Sequence, residues 1–575
     1  MAEATVLTSY PLDVSLSQSS RQLSSSYSSL SSYLSDAACS QSSDAEQTTL
    51  DDAAQAFTTF FKADKVADVL LAFKTLKAES ERRAIEEEET CCCNHRGDGR
   101  PQRRRALHTF CLLKRYVGKC HYQAERLFAT LSEKVNHPDN VRMQSGMAWR
   151  PLIVGAGISG LTTAIEMCLI GCESVAVIEK RTVFDRRNVI HLWPQICDYL
   201  KSIGFKAMYP RLLTGGLDCV PIRRMQMALL KVALLLGTDV TMGVAYERTE
   251  ADTESQLFRP VTVPEMSHLP SCNILVGAEG ERSRVLREFD FKRKELVFGQ
   301  GAFLSCAQRT RSWIIDRVAL GITANFQSTG SPEEKALAEG GFVSYLNRAF
   351  FGKLKAQHIE LENLVMYQAP EQPPYAYFVM TAKAASLVAH GVIKDQNDLS
   401  TDTEQLCAFV RKVVTAYGLP ECCAFLQRRS GRPDVQLFDF SHKSAAVAPS
   451  QVVQREGATC LVAIVGDAGI LLTLSNACGI ALFHRRLAIN PFWPKGTGAA
   501  QSVMAALDFT YLVRRMDALC PTGEACLCKI MAEHGEEVHT LLRMHEQYHV
   551  KLQTSTTANV KGICIDPTKR YTLLY

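Results

Sequence analysis

Short apolar runs closed by glycine alternate with helix-spaced segments through most of this chain. Residues 152–154 are one such run, a helical stretch follows it, and a second run occupies 175–178. Runs of this length, bounded by turn residues, read as strands buried on both faces. Residues 222–236 carry apolar positions at helical spacing, and 273–276 is a further strand leading into Gly277-Ala278-Glu279-Gly280. Residues 319–326, 342–346, 364–367 and 375–381 are β-like, 461–465 is a strand ending at Gly466-Asp467, and the C-terminal region is helical. Upstream, Val66, Val69, Leu70, Phe73 and Leu76 fall on one face of a helix, and helical character resumes over 107–134. Residues 12–50 are dominated by serine, with too few large apolar groups to offset ordering entropy, and are expected to be disordered.

This order predicts an α/β chain whose nucleotide-binding domain is split by a β-rich insertion. The expected divisions are a Ser-rich tail (1–50) and a helical segment (51–148) with a charged loop near 86–106. The first part of the nucleotide-binding domain then spans 149–292, the inserted middle domain 293–455, and the second part with C-terminal helices 456–575.

Composition changes this picture little. An apolar fraction of 46% with 64 basic against 60 acidic residues describes an ordinary globular protein and gives no argument for nucleic acid. The apolar run 469–483 is broken by Thr473, Ser475 and Asn476 and is too short to insert across a membrane. The 21 cysteines are scattered with no secretory signal, so reduced thiols and a cytoplasmic setting are expected. Cys91, Cys92, Cys93, His95, Cys111, Cys120 and His121 lack CxxC or HxxxH spacing, and no metal is expected.

The chemistry concentrates at Gly155-x-Gly157-x-x-Gly160 between the first strand and helix, with Glu179 closing the second strand. Gly155 permits a tight turn, Gly157 lets backbone approach a pyrophosphate, and Gly160 allows close helix–strand packing. The helix N-terminus offers N–H groups to phosphates, and Glu179 is placed for a ribose diol. Together with Gly277-Ala278-Glu279-Gly280 and Val465-Gly466-Asp467, this set resembles the aromatic-hydroxylase-like flavoprotein monooxygenases and narrows the dinucleotide to FAD. The resemblance implies a Rossmann-like FAD-binding domain with an inserted β-rich substrate domain, preceded here by a helical N-terminal segment.

Longer runs resemble the MICAL flavoprotein monooxygenase domain: EKRTVFDRRNVIHLWP (179–194), MALLKVALLLG (227–237), ALGITANF (319–326), YFVMTAK (377–383), GRPDVQLFDF (431–440), PFWPKGTG (491–498) and ICIDPTKRY (563–571). That resemblance implies an enzyme using FAD, NADPH and O₂ to oxidise methionine on F-actin, releasing H₂O₂ as a side product. It also implies cytoskeletal association, and a chain without the calponin-homology and LIM domains that follow in the family. Carried over by position, Gly155, Gly157, Ser159 and Gly160 would form the phosphate loop, Ser159 standing where the family commonly has cysteine. Glu179, Lys180 and Arg181 would hold the adenosine side, with Tyr246 as an adenine contact. Arg186, Arg187 and Asn188 match the RNN segment near the flavin, with Arg187 in its middle place. Tyr377 would lie beside the flavin, Asp467 on its ribityl chain, and Trp493 at the ring as a gate; Tyr377 and Trp493 are the catalytic candidates. His191 and Trp193 read equally as core residues, and Lys383 receives no role.

Three departures stand out: extra segments at 297–316 and 469–489, and Glu279 in place of the usual aspartate. An insertion after Asp467 leaves open a flavin-poor cytoskeletal binding module, and the fold alone leaves open a small-molecule hydroxylase.

Overall fold

The structure is a computed structural model that describes residues 43–90, 105–138, 148–209, 219–296, 320–344, 347–369, 371–395, 398–439, 443–468, 470–472, 497–520 and 526–554. Met1–Asp51 and Asp52–Tyr575 form separate compact units. Of the first, the described part is the opening of the helix Ser43–Lys62, which begins inside the segment expected to be disordered. Phe57 and Phe60 of that helix are fully buried, so its later turns have the apolar face that the serine tract lacks.

Within Asp52–Tyr575 a six-stranded sheet has the order Ser450–Arg455, Ala458–Ile464, Ile274–Gly277, Pro151–Val154, Ala176–Glu179, Asp239–Met242. All neighbours are parallel except the edge strand Ser450–Arg455, which returns antiparallel on Ala458–Ile464. Side-chain alternation divides the sheet between two cores. Ile153, Val177, Val276 and Ala463 face the core that includes the helices Ile158–Leu169, Ile222–Leu235 and Thr497–Ala518. Leu152, Val154, Ile178, Leu275 and Val462 face the core shared with Tyr246 and Phe258 of the hairpin Ala245–Asp252/Leu257–Val263.

Ser450–Arg455 pairs antiparallel with Ala458–Ile464 across the boundary expected at 455/456. The middle sheet is antiparallel, in the order Gly340–Val343, Leu361–Ala369, Tyr375–Ala382, Leu320–Gln327, Val435–Asp439. One face packs Ile322, Ala324, Phe378 and Met380 with Phe409, Val410 and Val413 of the helix Thr403–Tyr417. Ile470–Leu472, Lys443–Ala446 and Arg293–Leu296 form a three-stranded antiparallel sheet. The extra segment 297–316 lies outside the described residues, as does 469–489 apart from the strand Ile470–Leu472. No helix among the described residues is long and apolar enough to cross a membrane.

Candidate functional site

Three distant segments meet where the parallel strands end. Gly155 N–H donates to Ile178 C=O at 2.7 Å, Ala278 N–H to Val154 C=O at 2.8 Å, and Val465 N–H to Gly277 C=O at 2.9 Å. These bonds carry the strand pairing into the first turns beyond the sheet. The turns open onto a cavity of about 1610 Å³ lined by Gly155, Gly157, Ser159, Glu179, Glu279 and Asp467, among others. Its volume exceeds the ~300–1,000 Å³ of drug-sized pockets, leaving room for a dinucleotide. A crevice beyond the carboxyl ends of parallel strands is the usual ligand position in open α/β sheets.

The glycines separate by cause. Gly155 sits at φ +110°, and a Cβ there would lie 2.6 Å from Ala278 O. At Gly160 a Cβ would lie 1.9 Å from Gly155 O. Both are required by the fold itself. Gly157 is different: its φ is −75°, open to any residue, and a Cβ would meet nothing closer than Ala278 O at 3.8 Å. The protein leaves that space clear on the cavity side, at the N-terminus of the helix Ile158–Leu169. Gly466, at φ +62°, closes the loop from the far side, where a Cβ would overlap Ser159 Oγ at 1.9 Å. Ser159 therefore abuts the third segment.

Glu179 is buried and braces the turn, accepting Ala156 N–H at 3.0 Å on Oε2. Its Oε1 accepts Arg181 N–H and Arg181 Nε–H, each at 3.0 Å. Gln226, on the helix Ile222–Leu235, donates to Ala156 C=O at 3.2 Å and also lines the cavity. Lys180, Arg181, Arg186 and Arg293 give the walls positive charge. Arg293 donates to the carbonyls of Asp467 (3.1 Å) and Ala468 (2.8 Å), fixing the short turn Gly466–Ala468. Asp467 is reached by solvent through the cavity but surrounded by protein. Burial pushes its carboxyl above the usual range and Glu281 adds to this, against Arg186 and Arg293.

Tyr246 lines the cavity with its ring buried, and its hydroxyl donates to Glu288. Glu288 also accepts Thr249 N–H (3.0 Å), Thr249 Oγ–H (2.7 Å) and Arg455 (3.0 Å). Glu279 caps the next short helix, accepting Ser283 Oγ–H and Arg284 N–H, both at 2.8 Å. Its longer side chain is thus absorbed by the turn it closes.

The opposite wall is the free face of the middle sheet, where Thr323, Val365, Tyr367, Tyr377 and Val379 line the cavity. Tyr367 and Tyr377 are direct cross-strand partners. Burial pushes the Tyr377 hydroxyl well up, with Tyr367 adding and Arg186 and Asn188 opposing. Arg186 and Asn188 line the cavity, whereas Arg187 does not. The Arg187 carbonyl accepts Tyr375 O–H at 2.7 Å and its guanidinium lies 5.9 Å from that ring. His191 lines the cavity; Trp193 is buried in the main core; Lys383 pairs with Glu360 at 3.0 Å, away from the cavity lining. Trp493 lies outside the described residues. Cys91, Cys92, Cys93 and His95 do too, and among the described residues no group suits a metal.

Sequence reasoning missed Gln226, Arg293, Tyr367 and Ser502 on the cavity wall. Strand alternation around Tyr377 could have pointed to Tyr367; nothing local marked the others.

Residues 318–439 match the family described as "Mical, Rossman domain". The human [F-actin]-monooxygenase MICAL3 is 32% identical over 473 residues, 78% of this chain and 21% of that protein. Human [F-actin]-monooxygenase MICAL1 is 31% identical over 472 residues, 78% of this chain and 38% of its own length. The Danio rerio protein-methionine sulfoxide oxidase mical3a is 31% identical over 475 residues, 78% and 21% respectively. The chain thus spans well under half the length of these relatives. Among solved structures, the OxyS anhydrotetracycline hydroxylase from Streptomyces rimosus superposes with TM-score 0.40 at 18% identity, covering 74% of this chain and 71% of that one.

Proposed function

The chain belongs to the MICAL family through its flavoprotein domain, and on that premise we propose that it is an FAD- and NADPH-dependent monooxygenase. It oxidises methionine of proteins, F-actin foremost, and works in the cytoplasm at the cytoskeleton. The observation that carries this reading is the cavity at the strand ends, joined by three segments distant in sequence, with Gly157 left clear for a ligand.

The residues fit the cofactor. Gly157 and the N-terminus of Ile158–Leu169 would take the pyrophosphate, with Arg181 and Lys180 supplying charge. Glu179 retains lone pairs for a ribose, and Tyr246 bounds that end. Asp467, held by Arg293 through its carbonyl, would face the ribityl hydroxyls, and Arg186 and Asn188 the ring system. When bound, FAD passes electrons from NADPH to O₂, the chemistry by which a thioether gains oxygen.

In the overall balance one oxygen atom joins the methionine sulfur, the other leaves as water, and NADPH with one proton from solvent supplies the two electrons and two hydrogens; without a thioether, NADPH, a proton and O₂ give H₂O₂ and NADP⁺. Sulfur needs no deprotonation, so the chain has no task as a base. Its tasks are to orient, to exclude water and to present the sulfur. The apolar and aromatic face of Val365, Tyr367, Tyr377 and Val379 suits a thioether, since sulfur–aromatic contacts are favourable. Trp493 is proposed as the ring-facing gate on family resemblance alone. NADPH oxidation by the purified chain, with and without F-actin, tests the proposal. Flavin-dependent turnover with sulfoxide on actin methionines is expected; turnover without it points to a small-molecule hydroxylase, and filament binding by flavin-free protein to a binding module.

A further inference from the structure

We infer that Gln226 is a positioning residue that aims the phosphate loop through the backbone of Ala156, an inference that rests on reading this cavity as a dinucleotide site. Ala156 is clamped on both sides. Glu179 Oε2 accepts its N–H at 3.0 Å, fixing the peptide between residues 155 and 156. Gln226 Nε2 donates to its C=O at 3.2 Å, fixing the peptide between 156 and 157. Both side chains are 4% exposed, so water does not compete freely for either bond.

The second bond matters for recognition because a trans peptide is planar, with N–H and C=O pointing in opposite directions. Drawing the Ala156 carbonyl toward the helix Ile222–Leu235 turns the Gly157 N–H away from that helix. Among the described residues that N–H has no protein acceptor, and Gly157 lines the cavity. Its direction is therefore set by a side chain about seventy positions further along the chain. Gly155 and Gly160 give the turn its shape, but neither holds the rotation of this peptide; Gln226 does, and it must be a donor to do so. Loss of the donor leaves the peptide free to rock, and an aligned N–H becomes an averaged one.

The experiment compares wild type with Gln226→Met, which keeps the length but has no donor, and Gln226→Asn, which keeps the amide but falls short. Dissociation constants for FAD and for ADP, which carries the adenosine and pyrophosphate without the flavin, are measured on apoprotein beside its melting temperature. The expected result is a loss of about tenfold for both ligands in Gln226→Met, the worth of one hydrogen bond, with a smaller loss in Gln226→Asn. Unchanged dissociation constants with a lowered melting temperature would mean that Gln226 only supports the fold, and would overturn the inference. If Gln226→Met does not fold, Gln226→Asn decides on the same two readouts. Wild type that binds neither ligand removes the site reading itself, a separate failure.

Discussion

Replacing Gly157 with valine separates what the fold needs from what a ligand needs. In the protein alone the change is cheap. The backbone at φ −75° accepts a branched residue, and a Cβ would sit 3.8 Å from the nearest heavy atom, Ala278 O. The remaining cost is a poorer helix N-cap, about 1 kcal/mol, or a few degrees in melting temperature at most. With a dinucleotide present the same methyls stand where phosphate oxygens approach the loop. Losing one charge-assisted hydrogen bond there costs about 1.5–3 kcal/mol, which is roughly 10- to 200-fold in affinity. Calorimetric melting of the apoprotein together with FAD titration reads both sides. The account requires a nearly unchanged fold with strongly weakened FAD binding. Equal flavin affinity in Gly157→Val and wild type would refute the placement of the pyrophosphate.

Gly160→Ala should act oppositely: with a Cβ 1.9 Å from Gly155 O it should lower the apoprotein melting temperature sharply or prevent soluble expression, whether or not FAD is supplied. Lys231 is buried with its ammonium on Phe61 C=O at 2.6 Å, and burial lowers its pKa from 10.5 to about 8. The unfolded chain therefore binds more protons between those values, so Lys231 makes stability rise with pH from about 8 to 10.5, by roughly 3 kcal/mol. Urea midpoints of Lys231→Met should lack that rise; an identical pH profile would contradict it. The protein around Asp467 holds its carboxyl above the usual range although the cavity admits solvent to it, so its ionisation costs the fold a little stability as pH climbs from the ordinary carboxylate range to the folded pKa, and Asp467→Asn should melt no lower than wild type at neutral pH while binding FAD more weakly. A variant that melts lower, or binds FAD as tightly, would count against that role.

Much of the first sheet was legible because strands buried on both faces need continuous apolar residues, and 152–154, 175–178, 273–276 and 461–465 supply them next to glycine turns. The hairpin Ala245–Asp252/Leu257–Val263 was not. Its strands carry Glu247, Arg248, Glu250 and Arg259 on the exposed side, and Pro260 sits inside a strand, which argues locally against one. The edge strand Ser450–Arg455 hid for the same reason: half-exposed, it lacks the apolar run of its neighbours. In the site, glycine spacing located the loop because backbone demands leave local marks. Arg186 and Asn188 reach the cavity and Arg187 does not, the two-residue alternation of an extended chain, which matching residues one by one ignores. Gln226 and Arg293 escaped because their partners, Ala156 and the Asp467 turn, are distant in sequence and are contacted through backbone carbonyls that no residue type announces.

The most direct test is titration of the purified 575-residue chain with FAD. Saturable binding of one FAD per chain, with flavin fluorescence changing as the ring leaves water, is the result expected of the cavity closed by Gly157, Glu179 and Asp467. A folded chain that takes up no FAD at saturating supply would contradict the account.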